Sequence, residues 1–156
     1  MRKSIQVHSD CPNGWIRNNG RCYKFQTEKQ NWPNARQMCK WHDSDLMAIE
    51  TVAEQNWFVQ QALTFNHSDA DDGFWLSGTD WSEEGNWVWE STTEPFRYQI
   101  WGDLQPNNKN NSEHCLDALN FFTYAWSDEW CDWGNLQYVY EKPEPVRYWY
   151  RFLFGR

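Results

Sequence analysis

The segment from Gln105 to Glu113 concentrates side chains able to grip a hard cation. Gln105-Pro106-Asn107-Asn108 sets amide oxygens on either side of a proline, and Glu113 follows in the same polar stretch. Ser127 and Asp128 come later, between Trp126 and Cys131. All of these groups offer oxygen. Ca²⁺ takes about six to eight oxygen ligands and accepts amide carbonyls beside carboxylates. The proline fixes the backbone so that its flanking side chains converge. A bridge between Cys115 and Cys131 would hold the Glu113 and Asp128 segments together. The expectation is a calcium site; the plainer alternative is a solvated polar loop.

Length and composition limit the rest. A chain of 156 residues suits one domain. Its 40% hydrophobic and 19% aromatic content, with 13 Trp, calls for a packed core rather than disorder. A net charge of −8 argues against nucleic acid, which needs a basic surface. No apolar run reaches the roughly 18 residues of a spanning helix. Met1–Asp10 has basic residues but no apolar stretch, so it is not an intact signal peptide.

The five cysteines are Cys11, Cys22, Cys39, Cys115 and Cys131. Cys11 with Cys22 and Cys115 with Cys131 are close pairs, and Asn19-Gly20-Arg21 inside the first is a hairpin signal. Neither has zinc-finger spacing with histidines, so disulfides are the better assignment. Disulfides imply an oxidising compartment, and the expected location is extracellular, with a signal peptide already removed. The sequons at Asn66 and Asn110 agree with that location. His8, His42, His67 and His114 are scattered and suggest no metal or catalytic cluster.

Several elements must position these residues. Tyr23, Phe25 and Gln26 read as a short strand. Asn31 as cap, Pro33 in the first turn, and Ala35, Met38, Cys39 and His42 at helical spacing predict a helix with an apolar stripe facing the core. Thr51-Val52-Ala53-Glu54 is a capping box opening a second helix that runs towards Asn66. Short strands follow at Phe74-Trp75-Leu76 and Trp87-Val88-Trp89, then a long polar loop over 91–113, then strands over 116–119, 124–127 and 137–140. A loop of that length in a compact domain is usually functional or disordered. The order predicts an α+β fold.

These landmarks resemble the C-type lectin domain family. Trp75-Leu76-Ser77-Gly78 and Glu84-Gly85-Asn86-Trp87-Val88-Trp89 are similar to its central motifs. Gln105-Pro106-Asn107 sits where the family has Glu-Pro-Asn or Gln-Pro-Asp, and Trp126-Ser127-Asp128 with Cys131 looks like its Trp-Asn-Asp-x-x-Cys motif. The resemblance covers 11–141 and implies a C-type lectin-like fold: two helices, antiparallel sheets, a long calcium-binding loop and stabilising disulfides. It divides the chain into an N-terminal extension, 1–10, a carbohydrate-recognition domain, 11–141, and an aromatic and basic tail, 142–156. Cys11 and Cys22 correspond to the N-terminal hairpin of the family's long form.

The resemblance implies a principal Ca²⁺ site of Gln105, Asn107, Glu113, Ser127 and Asp128, with Gln105, Asn107, Glu113 and Asp128 also bonding the sugar. Two adjacent sugar hydroxyls would complete the ion's coordination. It further implies a second Ca²⁺ site of Asp80, Glu84, Asn108 and Glu113, where His114 replaces a frequent Asp. The partners it implies are glycans, with a homo-oligomer as a further option. Gln105-Pro106-Asn107 mixes the family's two variants, and no Trp follows in 108–112 to stack on galactose, so mannose-type or broad recognition is expected. With two carboxylates and Ser127 in place of an amide, calcium affinity is expected near 10⁻⁴ to 10⁻³ M, roughly that of extracellular modules. The family's last cysteine falls at Tyr140, which leaves its usual partner Cys39 unpaired: a buried thiol or an intermolecular disulfide.

Trp75, Trp87, Trp89 and Trp126 are expected in the core, while Trp81, Trp130 and Trp133 are available to line a sugar site. The tail, with Tyr148, Trp149, Tyr150, Phe152, Leu153 and Phe154, is an extra strand, a covering over the core, or an exposed strip for self-association or a membrane surface. Two other function classes compete. One is a lectin-like fold that binds protein, mineral or ice without sugar. The other is an enzyme, but no nucleophile–base pair, phosphate loop or zinc signature is present. Two carboxylates can hydrolyse a glycoside, yet the calcium site already uses them.

Overall fold

The computed structural model describes residues 3–8 and 10–151, with the backbone alone over 3–8 and 147–151. The strands and helices are, in chain order, β1 (Lys3–His8), β2 (Ile16–Asn18), β3 (Arg21–Gln30), α1 (Trp32–Trp41), β4 (Asp45–Leu46), α2 (Val52–Ala62), β5 (Gly73–Thr79), β6 (Val88–Trp89), β7 (Glu94–Pro95), β8 (Cys115–Leu119), β9 (Trp126–Glu129), β10 (Leu136–Pro143) and β11 (Val146–Arg151). This is the expected α+β architecture.

Both helices begin where their caps predict. The Asn31 side chain accepts from the Asn34 amide at 3.0 Å, and Pro33 occupies the first turn. Thr51 accepts from the Glu54 amide at 3.1 Å while Glu54 accepts from the Thr51 amide at 3.0 Å, so each satisfies a donor the helix leaves orphaned. α1 buries Trp32, Ala35 and Cys39, and α2 buries Gln55, Phe58 and Ala62.

The main sheet runs β2-β3-β10-β5-β6-β7, with β4 added on β10, and β8 on β5 carrying β9. One pair departs from the expected antiparallel pattern: β10 lies parallel to β5, with Gln137 opposite Phe74 and Tyr138 opposite Trp75. Parallel neighbours need a long crossover, and here the polar loop with β8 and β9 supplies it. β3 extends well beyond the short strand expected around Tyr23–Gln26 because β10 pairs along most of its length. β1 and β11 form a separate two-stranded antiparallel sheet. That pairing is the extra strand considered for the tail; the side chains of 147–151, and residues 152–156 altogether, lie outside the described residues.

β5 is buried along its whole length, because the fold has a core on each of its faces. Side chains alternate across a strand. Phe74 and Leu76 therefore join Phe58, Trp89, Tyr124, Trp126 and Val139 under α2, and Trp75 joins Trp32, Cys39, Leu136, Tyr138 and Tyr140 under α1. Buried indoles need acceptors for their N–H groups. Trp32 donates to the Leu76 carbonyl at 2.8 Å, Trp75 to the Gln30 carbonyl at 2.9 Å, and Trp126 to Gln55 Oε1 at 3.0 Å. Trp75, Trp87, Trp89 and Trp126 are all buried. Cys11 is bonded to Cys22 and Cys115 to Cys131, and Cys39 is a buried free thiol.

Candidate functional site

The long loop is moored to β9 by its backbone. The Trp126 amide donates to the Ile100 carbonyl at 2.8 Å, and the Gly102 amide donates to the Trp126 carbonyl at 2.7 Å. Beneath it, Phe96, Tyr98 and Trp101 meet the Trp126 ring edge-on at 5.4, 5.7 and 6.0 Å. These rings explain the apolar residues within an otherwise polar segment: they fasten the loop to the core. The Gln105–Pro106 peptide bond is cis.

Asp128 receives the loop on both oxygens. The Asn107 amide donates to Oδ1 at 2.9 Å and the Asn108 amide to Oδ2 at 2.7 Å. Glu113 closes the other side, with Oε2 accepting from the Lys109 amide at 3.0 Å and its own amide donating to Asn108 Oδ1 at 3.2 Å. The polypeptide turns sharply between them, with Asn108, Asn110 and Asn111 all at positive φ. Asparagine tolerates that region better than most residues, which is why three of them can form the turn. The structure thus gathers Asn107, Asn108, Glu113 and Asp128 in one hydrogen-bonded unit.

Buried carboxylates dominate the electrostatics of this unit, and Lys109 is a positive charge that acts on Glu113. Glu113 and Asp128 are only 5% and 4% exposed. Burial pushes the Glu113 carboxyl up to about 7 against the Lys109 hydrogen bond that lowers it, and the charges of Glu129 and Asp128 add to the rise. Gln105 Oε1 is buried and has no hydrogen-bond partner. A buried carbonyl oxygen without a donor costs free energy, and a hard cation would satisfy it. The donor set of carboxylates and amide oxygens fits Ca²⁺.

Ser127 is placed elsewhere. Adjacent residues of a strand face opposite sides. Asp128 faces the loop, so Ser127 points away and its hydroxyl donates to Asp117 Oδ1, its cross-strand partner on β8. Asp117 is wholly buried, and burial drives its carboxyl well above the usual carboxylate range. The sequence motifs point to neither Asp117 nor Glu129. An Asp inside the apolar run Cys115-Leu116-Asp117-Ala118-Leu119 was the available signal.

The second expected group forms at the end of the β5–β8 ladder. The Asp80 amide donates to the His114 carbonyl at 3.3 Å, one position beyond the Thr79–Cys115 pair. His114 Nδ1 lies 2.9 Å from Asp80 Oδ1 and 3.5 Å from Glu84 Oε2. The ligand atoms of Asp80, Glu84 and His114 lie within 4.8 Å of one another. Asn108 hydrogen-bonds the Glu84 carboxylate, while Glu113 is not in this group. His114, scattered from the other histidines in the sequence, thus stands in this group at the position where the resemblance put it in place of a frequent Asp. Beside it, Trp81 and Trp130, both about half exposed, line a cavity of about 470 Å³ with Asn111, Ser112 and Asp132. Trp133 is instead partly buried against the α1 core.

A family model described as the lectin C-type domain matches residues 28–139. A perlucin-like protein of Mytilus galloprovincialis is 30% identical over 133 residues, an alignment spanning 83% of this chain and 81% of the mussel protein. Hepatic lectin of Gallus gallus is 30% identical over 132 residues, spanning 84% of this chain but only 59% of that relative. Among solved structures, the mouse scavenger receptor C-type lectin carbohydrate-recognition domain superposes with a TM-score of 0.77 at 26% identity, over 87% of this chain and 100% of that one.

Proposed function

The chain belongs to the C-type lectin domain family, and from that premise we propose that it binds glycans through a calcium ion held by Gln105, Asn107, Glu113 and Asp128. The family is one of binding domains rather than enzymes. The observation that carries the proposal is the buried, partnerless oxygen of Gln105 in a loop closed by two almost fully buried carboxylates.

Bound there, Ca²⁺ would supply positive charge to the carboxylates and open coordination positions to two neighbouring sugar hydroxyls. The protein supplies the rest. A hydroxyl that gives a lone pair to a cation can still donate its proton to a carboxylate and accept from an amide N–H. Glu113 and Asp128 provide the first kind of group, and Gln105 and Asn107 provide both a carbonyl and an NH₂. Bonds to ionised partners are roughly twice as strong as neutral ones, so Glu113 and Asp128 dominate affinity while the two amides set which hydroxyl geometry is preferred. With amides on both sides of Pro106 the preference is mannose-type or broad. The unit formed by 11–141 acts outside the cell, on cell-surface or pathogen glycans.

A glycan array probed in calcium and again in EDTA tests this. The expected result is binding to mannose-terminated glycans that EDTA abolishes. Binding that survives EDTA would contradict the calcium-mediated mode, and an array blank in both buffers would favour the fold's use for protein, mineral or ice contact instead.

A further inference from the structure

We propose that Asp80, Glu84 and His114 form a Zn²⁺ site, separate from the calcium-binding loop and selective against Ca²⁺. One ligand atom from each of the three residues already lies within 4.8 Å of the others, with His114 Nδ1 2.9 Å from Asp80 Oδ1 and 3.5 Å from Glu84 Oε2. Calcium is bound by oxygen, whereas imidazole nitrogen suits zinc and its transition-metal neighbours. An oxygen donor at position 114 would leave the set indifferent or favour calcium; the imidazole turns it towards zinc. Two carboxylates and one histidine also match the three protein ligands of an open zinc site, whose remaining position is taken by water or a small ligand.

The supporting structure lies at the end of the β5–β8 ladder and touches the loop through Asn108, which hydrogen-bonds Glu84. Asp80 and His114 face each other one position beyond the last rung of the β5–β8 ladder, Thr79–Cys115, next to the Cys115–Cys131 bridge. The Asp80 carboxylate is 1% exposed, and its second oxygen accepts the Gly85 amide at 2.9 Å, which orients the first towards His114. Such outer bonds aim a ligand and are part of the site. Glu84 reaches the cluster over a turn in which the Glu83 amide donates to the Asp80 carbonyl at 3.2 Å. The Trp81 ring lies over His114, centroids 5.8 Å apart at 30°, and holds the imidazole plane. His114 also lines the cavity between Trp81 and Trp130, which gives an ion a path in and leaves room beside the open position.

The test is calorimetric titration of Zn²⁺ into metal-stripped protein held in about 10 mM Ca²⁺, roughly ten times the weakest affinity expected of the loop, so that the calcium loop stays mostly occupied. One Zn²⁺ per chain is expected, and Co²⁺ in its place should show the visible bands of a mixed nitrogen–oxygen site. His114→Ala should weaken Zn²⁺ by about 10-fold or more, the least expected when a ligand rather than its outer partner is lost. His114→Asp keeps the site polar and should lose Zn²⁺ affinity while gaining Ca²⁺ affinity. Calcium-dependent glycan binding should persist in His114→Ala, so failure here and failure of the lectin assignment are distinguishable. No Zn²⁺ uptake, displacement of Zn²⁺ by Ca²⁺, or equal Zn²⁺ affinity in a folded His114→Ala protein would overturn the proposal.

Discussion

Asp128 does two jobs, and they can be separated. Its carboxylate accepts the Asn107 and Asn108 amides, which fixes the loop, and it faces the proposed ion. Asp128→Asn keeps the shape but turns an NH₂ towards one of those amides. Hydrogen bonds to charged groups contribute about 1.5–3 kcal/mol each, and a domain of this size loses about 2–4 °C per kcal/mol. Calorimetry in EDTA should therefore show a melting temperature several degrees lower, before any effect on calcium is counted. An unchanged melting temperature would mean the loop is held by something else. Glu113 gives a pH signature. Without an ion its carboxyl titrates near 7, above its ordinary range, so it adds stability at low pH that is lost as pH rises through about 7. Coordination needs the ionised form. The stabilisation conferred by calcium should therefore grow from about pH 6 to about pH 8, and Glu113→Gln should flatten that rise. An increment independent of pH in the wild-type protein would contradict the assignment. At this scale the sequence was legible for residues whose chemistry and order coincide, such as Glu113 and Asp128. Ser127 differs because strand alternation, not its place beside Asp128, decides what it meets. His114 was legible only through the resemblance, because its partners, Asp80 and Glu84, arrive from the end of β5 and the turn after it, some thirty residues away.

At the scale of elements, caps and periodicity located both helices, and the alternation along β5 accounts for the two cores. The parallel β10–β5 pairing was not legible, since a strand's own residues do not state the direction of its neighbour. The disulfide pattern also makes a prediction here. Cys39 lies on the buried face of α1 in the same cluster as Tyr140, the position where the resemblance puts a partner cysteine. Burial raises the thiol well above its ordinary value, with the charge of Asp45 adding to the effect. A thiol that is both sealed and protonated is a poor nucleophile. Native protein should give no reaction with a thiol-reactive dye, and denatured, unreduced protein should give one thiol per chain, the fifth cysteine beside two disulfides. Fast labelling of the native chain would show that α1 opens or that Cys39 is exposed.

For the whole molecule, the net charge of −8 argues against nucleic acid, and family membership followed from several weak motifs in the right order. Among the described residues no helix is long and apolar enough to cross a membrane. The division of labour follows from the folding: two cores hold β5, β5 holds β8, the Cys115–Cys131 bridge joins β8 to the segment after β9, and these strands carry the carboxylates onto which the loop folds. The direct test of the sugar-binding account is the calcium dependence of retention on one immobilised mannose-terminated glycan. The account predicts a saturable rise with half-saturation at about 10⁻⁴ to 10⁻³ M Ca²⁺, full release by EDTA, and no rise in Asp128→Asn. Retention indifferent to calcium in the wild-type protein, or an undiminished calcium response in folded Asp128→Asn, would contradict it.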